Sequence, residues 1–124
     1  MKILVVDDEK DVQVLFEQRF RKEIRDKEME FVFAFSGEDA LVYMNDHEHE
    51  AVLILSDINM PGMSGLDLLG RIKSKHIKPP PVVMMITAYG DAENFRIAKE
   101  LGADDFLTKP VDFGYLKEKL KTLN

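Results

Sequence analysis

The sequence predicts a single α/β domain, with one parallel sheet of five strands sandwiched between helices. Two observations carry this. Short apolar runs alternate five times with segments of helical periodicity. The runs are also continuously apolar rather than alternating, as strands covered on both faces must be. At 124 residues the chain can bury roughly two-thirds of its unfolded surface without a covalent staple.

The elements follow in order. Residues 2–6 (KILVV) are a short buried strand. Residues from about 10 to 24 place Val12, Phe16, Phe20 and Ile24 on one helical face, with Leu15 beside them. Residues 30–35 (EFVFAF) are strand-like, and the alternation of Phe31, Phe33 and Phe35 with Val32 and Ala34 suits packing on both faces. Ser36-Gly37 opens a helix to about 46, with Ala40, Leu41 and Met44 inward. Residues 52–56 (VLILS) form the third strand. Ser64 caps a helix to about 75, Asp67 completes a capping-box-like pair, and Leu68, Leu69 and Ile72 face in. Pro79-Pro80-Pro81 cannot continue that helix. Residues 82–87 (VVMMIT) are the fourth strand, with Met84 and Met85 as core. Asp91 caps a helix to about 101, and Gly102 suits its left-handed end. Residues 104–108 (DDFLT) are a short fifth strand. Asp112 caps a last helix carrying Phe113, Leu116, Leu120 and Leu123, whose lysines form a polar face. With no linker, low-complexity tract or further repeat, residues 1–124 read as one domain.

Composition excludes several function classes. The absence of cysteine removes disulfides, thiolate nucleophiles and Cys-based metal sites, and it is compatible with a reducing cytoplasm. The N-terminus, MKILVVDDEK, lacks the long apolar stretch of a signal peptide or membrane helix, so the chain reads as cytoplasmic. Net charge is −6 and uneven: residues 1–62 hold 15 acids against 7 bases, and residues 63–124 hold 8 against 10. A direct nucleic-acid binder would show a basic face. The one basic run, RIKSKHIK at 71–78, instead complements a helix C-terminus. His47 and His49 in NDHEHE, with His76 as the only other histidine, lack the further close ligands of a zinc site and read as a solvated helix end.

In parallel sheets ligands bind beyond the carboxyl ends of the strands, where strand order reverses. Those ends are Asp7-Asp8, Asp57, Thr87 and Lys109-Pro110 for strands one, three, four and five. The second strand ends in Ser36-Gly37, with nothing chemically forceful. A flavodoxin-like order 2-1-3-4-5 places the four polar ends side by side and the quiet one at the far edge. Each residue alone has a plain structural use, as a cap, a turn or a surface charge. Together they form a constellation on one sheet edge. Two carboxylates about 4 Å apart repel by roughly 4 kcal/mol at an effective dielectric near 20. Three acids therefore need a cation or shifted pKa values, and Lys109 alone is insufficient. An all-oxygen set of this size suits Mg²⁺, with a carboxylate as nucleophile or ligand. Thr87 and Lys109 opposite it supply a hydroxyl and a cation, the parts that hold a phosphoryl group.

The segments VVDDE, LILSDINMPGMSGLDLL, VVMMITAYGD and GADDFLTKP, in this order and spacing across essentially the whole chain, resemble the receiver domain of two-component response regulators. The closest form is a stand-alone, chemotaxis-type regulator. The resemblance implies that Asp57 accepts a phosphoryl group from a phosphohistidine on a sensor histidine kinase or histidine phosphotransfer protein. It implies Mg²⁺ bound by Asp8 and Asp57 directly, by Asp7 through water, and by the backbone carbonyl of Asn59. It implies that Thr87 and Lys109 hold phosphate oxygens, and that the Lys109-Pro110 bond is cis. Phe106 would be the switch aromatic, moving inward with Thr87; the family often has Tyr there, and Phe removes any contact that needs the hydroxyl. The side chains of Asn59 and Tyr89 flank the site where the family tunes self-dephosphorylation. The output face would be the helix from Asp91, the fifth strand and the last helix, acting on a downstream effector protein. A phosphorylation-dependent homodimer is compatible with this, and nucleic acid or membrane contact is not expected. On this reading the chain is a switch rather than an enzyme.

Two rivals fit less well. A phosphatase of the haloacid-dehalogenase type needs a second acid two residues after its nucleophile, where this chain has Asn59. It also carries the nucleophile on the first strand rather than the third. A flavodoxin-like cofactor binder needs a Ser/Thr/Gly-rich loop after the first strand, where Asp7-Asp8-Glu9 would repel a phosphate.

Overall fold

The computed structural model of the chain describes residues 1–47, 50, 52–75, 81–88 and 90–123; Tyr89, His49, His76 and Pro79-Pro80 lie outside the described residues. The strands are β1 (Lys2–Val6), β2 (Glu30–Ala34), β3 (Val52–Asp57), β4 (Val82–Thr87) and β5 (Asp105–Thr108). The helices are α1 (Asp11–Arg19), α2 (Arg21–Arg25), α3 (Gly37–Asp46), α4 (Gly65–Ser74), α5 (Ala92–Glu100) and α6 (Phe113–Thr122). The strands form one sheet in the order β2-β1-β3-β4-β5, all pairs parallel. This is the flavodoxin-like order expected from the sequence.

Period-two alternation along buried strands splits the interior into two cores, one on each sheet face. Leu4, Val6, Ile54, Val83 and Met85 meet Ala40 and Met44 of α3, Leu68, Leu69 and Ile72 of α4, and Ala98 of α5. Ile3, Val5, Leu55, Met84 and Ile86 meet Phe16 of α1, Phe20, and Leu116 and Leu120 of α6. Met84 and Met85 are both fully buried, on opposite faces. The second core is aromatic: Phe16 lies 5.1 Å from Phe113, and Phe20 lies 4.9 Å from Phe31, ring centre to ring centre.

Four helices start where the sequence places a cap. The side chains of Ser36, Ser64, Asp91 and Asp112 accept from the amides of Asp39, Asp67, Asn94 and Tyr115 at 3.0–3.2 Å. Each such cap contributes about 1 kcal/mol. Gly102, at φ +97°, takes the left-handed position after α5. Two basic residues of the 71–78 run, Arg71 and Lys73, do lie in the last turn of α4. Lys73 goes further, donating to the Asp104 carboxylate at 2.7 Å and the Pro81 carbonyl at 2.9 Å.

The structure corrects three expectations. The helix expected over 10–24 is two helices, because Phe20 leaves helical geometry at φ −107°, ψ 21°. The turn moves Ile24 outward and brings Glu23 inward, where its carboxylate pairs with Lys117 at 3.4 Å. On the lysine-bearing polar face of α6, Lys119 likewise pairs with Asp105 of β5, at 2.6 Å. Leu123, expected to face in, is half exposed at the end of α6. Among the described residues no helix is long and apolar enough to cross a membrane.

Candidate functional site

Strand register decides which polar residues meet. Val6 pairs with Ser56, Asp57 with Ile86, and Thr87 with Thr108, so the carboxyl ends of β1, β3, β4 and β5 are level. Asp7, Asp57, Thr87 and Lys109 therefore converge on one edge. β2 lies beyond β1, away from them.

Asp7, Asp8 and Asp57 each offer a carboxylate oxygen within 4.8 Å of the other two. Asp57 is 3 % exposed and Asp7 is 7 % exposed, while Asp8 is partly open. Lys109 Nζ donates to Asp57 Oδ2 at 2.8 Å, and the Asn59 amide donates to Asp57 Oδ1 at 3.4 Å. The Glu9 amide donates to Asp7 Oδ1 at 2.9 Å. Burial raises the pKa of Asp7 above the ordinary carboxylate value. The Glu9 amide opposes that shift, the Asp57 charge adds to it, and Lys109 opposes it again. For Lys109, burial works to lower the pKa. The bond to Asp57 and the charges of Asp57, Asp7 and Glu9 outweigh it, and the net shift is upward.

The donor set fits a hard divalent cation. It is all oxygen, its three carboxylates face one ammonium, and the Asn59 carbonyl lies two residues from Asp57 on an exposed turn. Among the described residues the Asn59 carbonyl accepts no hydrogen bond within the chain.

Thr87 is 4 % exposed, and its hydroxyl donates to the Leu107 carbonyl at 3.4 Å rather than to the Asp57 carboxylate. That bond is longer than the usual hydroxyl range, so it costs little to break. A cavity of about 200 Å³ lies beside it, bounded by Thr87, Ala88, Gly90, Asp91, Phe95 and Thr108. Phe106 is half-buried and packs on Phe95, with ring centres 4.3 Å apart. The Lys109-Pro110 peptide bond is cis, and the Lys109 amide donates to the Thr87 carbonyl at 2.9 Å.

Two features of the site were not read from the sequence. Gly65 lies so close to the end of β3 that a Cβ there would sit 2.0 Å from the Asp57 carbonyl oxygen, and its amide donates to Ile58. The second glycine of PGMSG was a visible signal for such close approach. The other is a groove of about 610 Å³ between α1 and the start of α6, lined by Leu15, Phe16, Val111 and Phe113 and reaching Asp7 and Lys109. Its signal was Leu15, which the helical pattern sets beside the apolar face and which is 40 % exposed.

Comparison with known proteins agrees with this fold. Residues 3–121 match the response regulator receiver domain family. The chain is 38 % identical over 121 residues to the response regulator protein PilR of Pseudomonas aeruginosa, covering 98 % of this chain and 25 % of PilR. It thus spans about a quarter of that relative's length. The receiver domain of NtrX from Brucella abortus superposes with a TM-score of 0.78 at 34 % identity, covering 97 % of this chain and 95 % of that one. The chemotaxis protein CheY4 of Vibrio cholerae shares the fold, with a TM-score of 0.81 at 24 % identity over 99 % and 98 % of the two chains. Motif order, strand order and a polar edge built from four strand ends all lead to one assignment: the chain belongs to the response regulator receiver domain family of two-component systems.

Proposed function

We propose that this chain works over residues 1–124 as one phosphoacceptor switch, with Asp57 receiving a phosphoryl group from a phosphohistidine on a sensor kinase or phosphotransfer protein. The observation that carries this is the Asp7–Asp8–Asp57 cluster with Lys109 on Asp57 Oδ2. A carboxylate oxygen of Asp57 would attack phosphorus as the phosphorus–nitrogen bond of the donor breaks. Asp8, Asp57 and the Asn59 carbonyl would hold Mg²⁺ directly, with Asp7 acting through water. When bound, Mg²⁺ supplies positive charge against the carboxylates and the transferred phosphoryl oxygens. Lys109, whose side chain is 41 % exposed, would leave Asp57 Oδ2 for a phosphoryl oxygen. The apolar groove beside Asp7 and Lys109 offers the donor protein a footing next to the acceptor.

The switch follows from charge. Phosphorylation adds up to two negative charges and strong acceptor oxygens. Thr87 would exchange its long bond to Leu107 for one of them, drawing the β4–α5 turn along and letting Phe106 turn inward. The changed α5–β5–α6 face would then act on a downstream effector in the cytoplasm. The chain is read as a switch, not as an enzyme turning over an external substrate.

The test is phosphorylation by acetyl phosphate with Mg²⁺, followed by intact-protein mass spectrometry. The parent should gain one alkali- and hydroxylamine-labile phosphoryl group, and Asp57→Ala should gain none. An Asp57→Ala variant that still acquires an aspartyl phosphate overturns the assignment, and steady turnover of a generic phosphate ester would favour the phosphatase reading instead.

A further inference from the structure

The turn between β3 and α4 must hold Asn59 in one place, yet beyond the long Asn59 amide bond to Asp57 Oδ1 at 3.4 Å its own backbone does little to fix it. Its ends are tied: the Ile58 amide donates to Ile86 at 3.3 Å, and the Gly65 amide donates back to Ile58 at 2.8 Å. Among the described residues, residues 60–63 make no backbone hydrogen bond. A segment without such bonds takes its position from side-chain packing. Two methionines provide it. Met60 is buried in the core under α3 and α4, and Met63 is half-buried against that same core.

Met63 is seated on the N-terminus of α3. A Cβ on Gly37 would lie 2.9 Å from Met63 Sδ, 3.0 Å from its Cγ and 3.1 Å from its Cβ. Only a glycine lets the methionine lie this close, and Gly37 does not need its conformational freedom, since it sits inside a regular helix. The neighbouring Glu38 carboxylate reaches over the same turn, 3.0 Å from where a Cβ on Gly62 would be. Gly62 has φ +73°. The end of β2, chemically quiet in the sequence, thus grips the loop that leaves Asp57.

We propose that Met63, packed on Gly37, is a positioning residue that holds the 58–64 turn so that the Asn59 carbonyl completes the acidic cluster. This rests on the reading of Asp7, Asp8 and Asp57 as a Mg²⁺ site. Loss of support behind a metal ligand typically lowers affinity about 10–100-fold, and packing support belongs at the lower end of that range.

Calorimetric titration with Mg²⁺, without any phosphodonor, tests it. Met63→Ala should bind Mg²⁺ about 10-fold more weakly than the parent, and Met63→Leu, which keeps bulk against Gly37, should restore most of the affinity. Gly37→Ala should displace Met63 and weaken binding in the parent, with no further effect in the Met63→Ala background. Parent-like affinity in both Met63→Ala and Gly37→Ala, with only their melting temperatures lowered, overturns the inference and leaves the Mg²⁺ reading intact. Failure of the parent itself to bind Mg²⁺ overturns both.

Discussion

Asp7 sits in an electrostatic conflict. It is buried, it faces Asp57, and its pKa is raised by burial first, then by the Asp57 charge, against the Glu9 amide and Lys109. A folded-state value above the unfolded one means that folding favours the protonated acid. The stabilising contribution of that acid is fully present below the unfolded carboxylate pKa and is lost as pH rises through the folded one. As pH rises toward neutral without a divalent cation, Asp7 therefore stabilises the fold less than it does in acid. Asp7→Asn should raise the melting temperature at neutral pH in a chelator, and the advantage should vanish toward about pH 3, where the carboxyl is protonated in both states. With saturating Mg²⁺ the order should narrow or reverse, because the parent gains more from the cation. Thermal melts at both pH values, with chelator and with Mg²⁺, check this. A parent that outlasts Asp7→Asn in chelator at neutral pH contradicts it.

At the scale of elements, much was legible because local chemistry and tertiary context agree. Ser36, Ser64, Asp91 and Asp112 each precede a helical pattern, and each caps. The alignment of Asp7, Asp57, Thr87 and Lys109 was legible because parallel strands of similar length end level. What escaped depends on contacts between segments distant in sequence. The break falls at Phe20, whose ring packs near Phe31 and Phe113, contacts that no helical pattern encodes. The closeness of Gly65 to Asp57 and of Gly37 to Met63 likewise appears only when strands and helices are assembled. The same distinction bears on the proposed switch. Thr87 was legible as a hydroxyl near the site, but its present bond to Leu107, and the cavity beside it, belong to the packing of β4, β5 and the turn into α5. If Thr87 transmits the change, Thr87→Ala should still be phosphorylated by acetyl phosphate, but most of the amide-shift change at Ala88 and Phe106 on phosphorylation should disappear. Two-dimensional NMR of both proteins reads this directly. Equal shifts in variant and parent remove Thr87 from the switch.

At the scale of the whole molecule, the two cores share every strand of one sheet, so an event at the sheet's carboxyl edge is felt by the entire fold. Most single domains of this size unfold as one cooperative unit. The edge concentrates three carboxylates against Lys109, on a chain whose residues 1–62 already carry an excess of acids. Cation binding there should therefore appear as global stability rather than as local ordering. Binding to the folded state alone adds RT ln(1 + [L]/Kd), about 2.7 kcal/mol at a Mg²⁺ concentration 100 times Kd. The melting temperature should rise with Mg²⁺ as a single transition, and Asp57→Ala should blunt the rise. Potassium chloride at matched ionic strength separates site binding from screening: screening relieves the repulsion gradually, whereas a site keeps adding stability logarithmically once it is filled. Identical curves in the two salts would mean that the edge gathers counterions only, and that its carboxylates do not act as one ligand set.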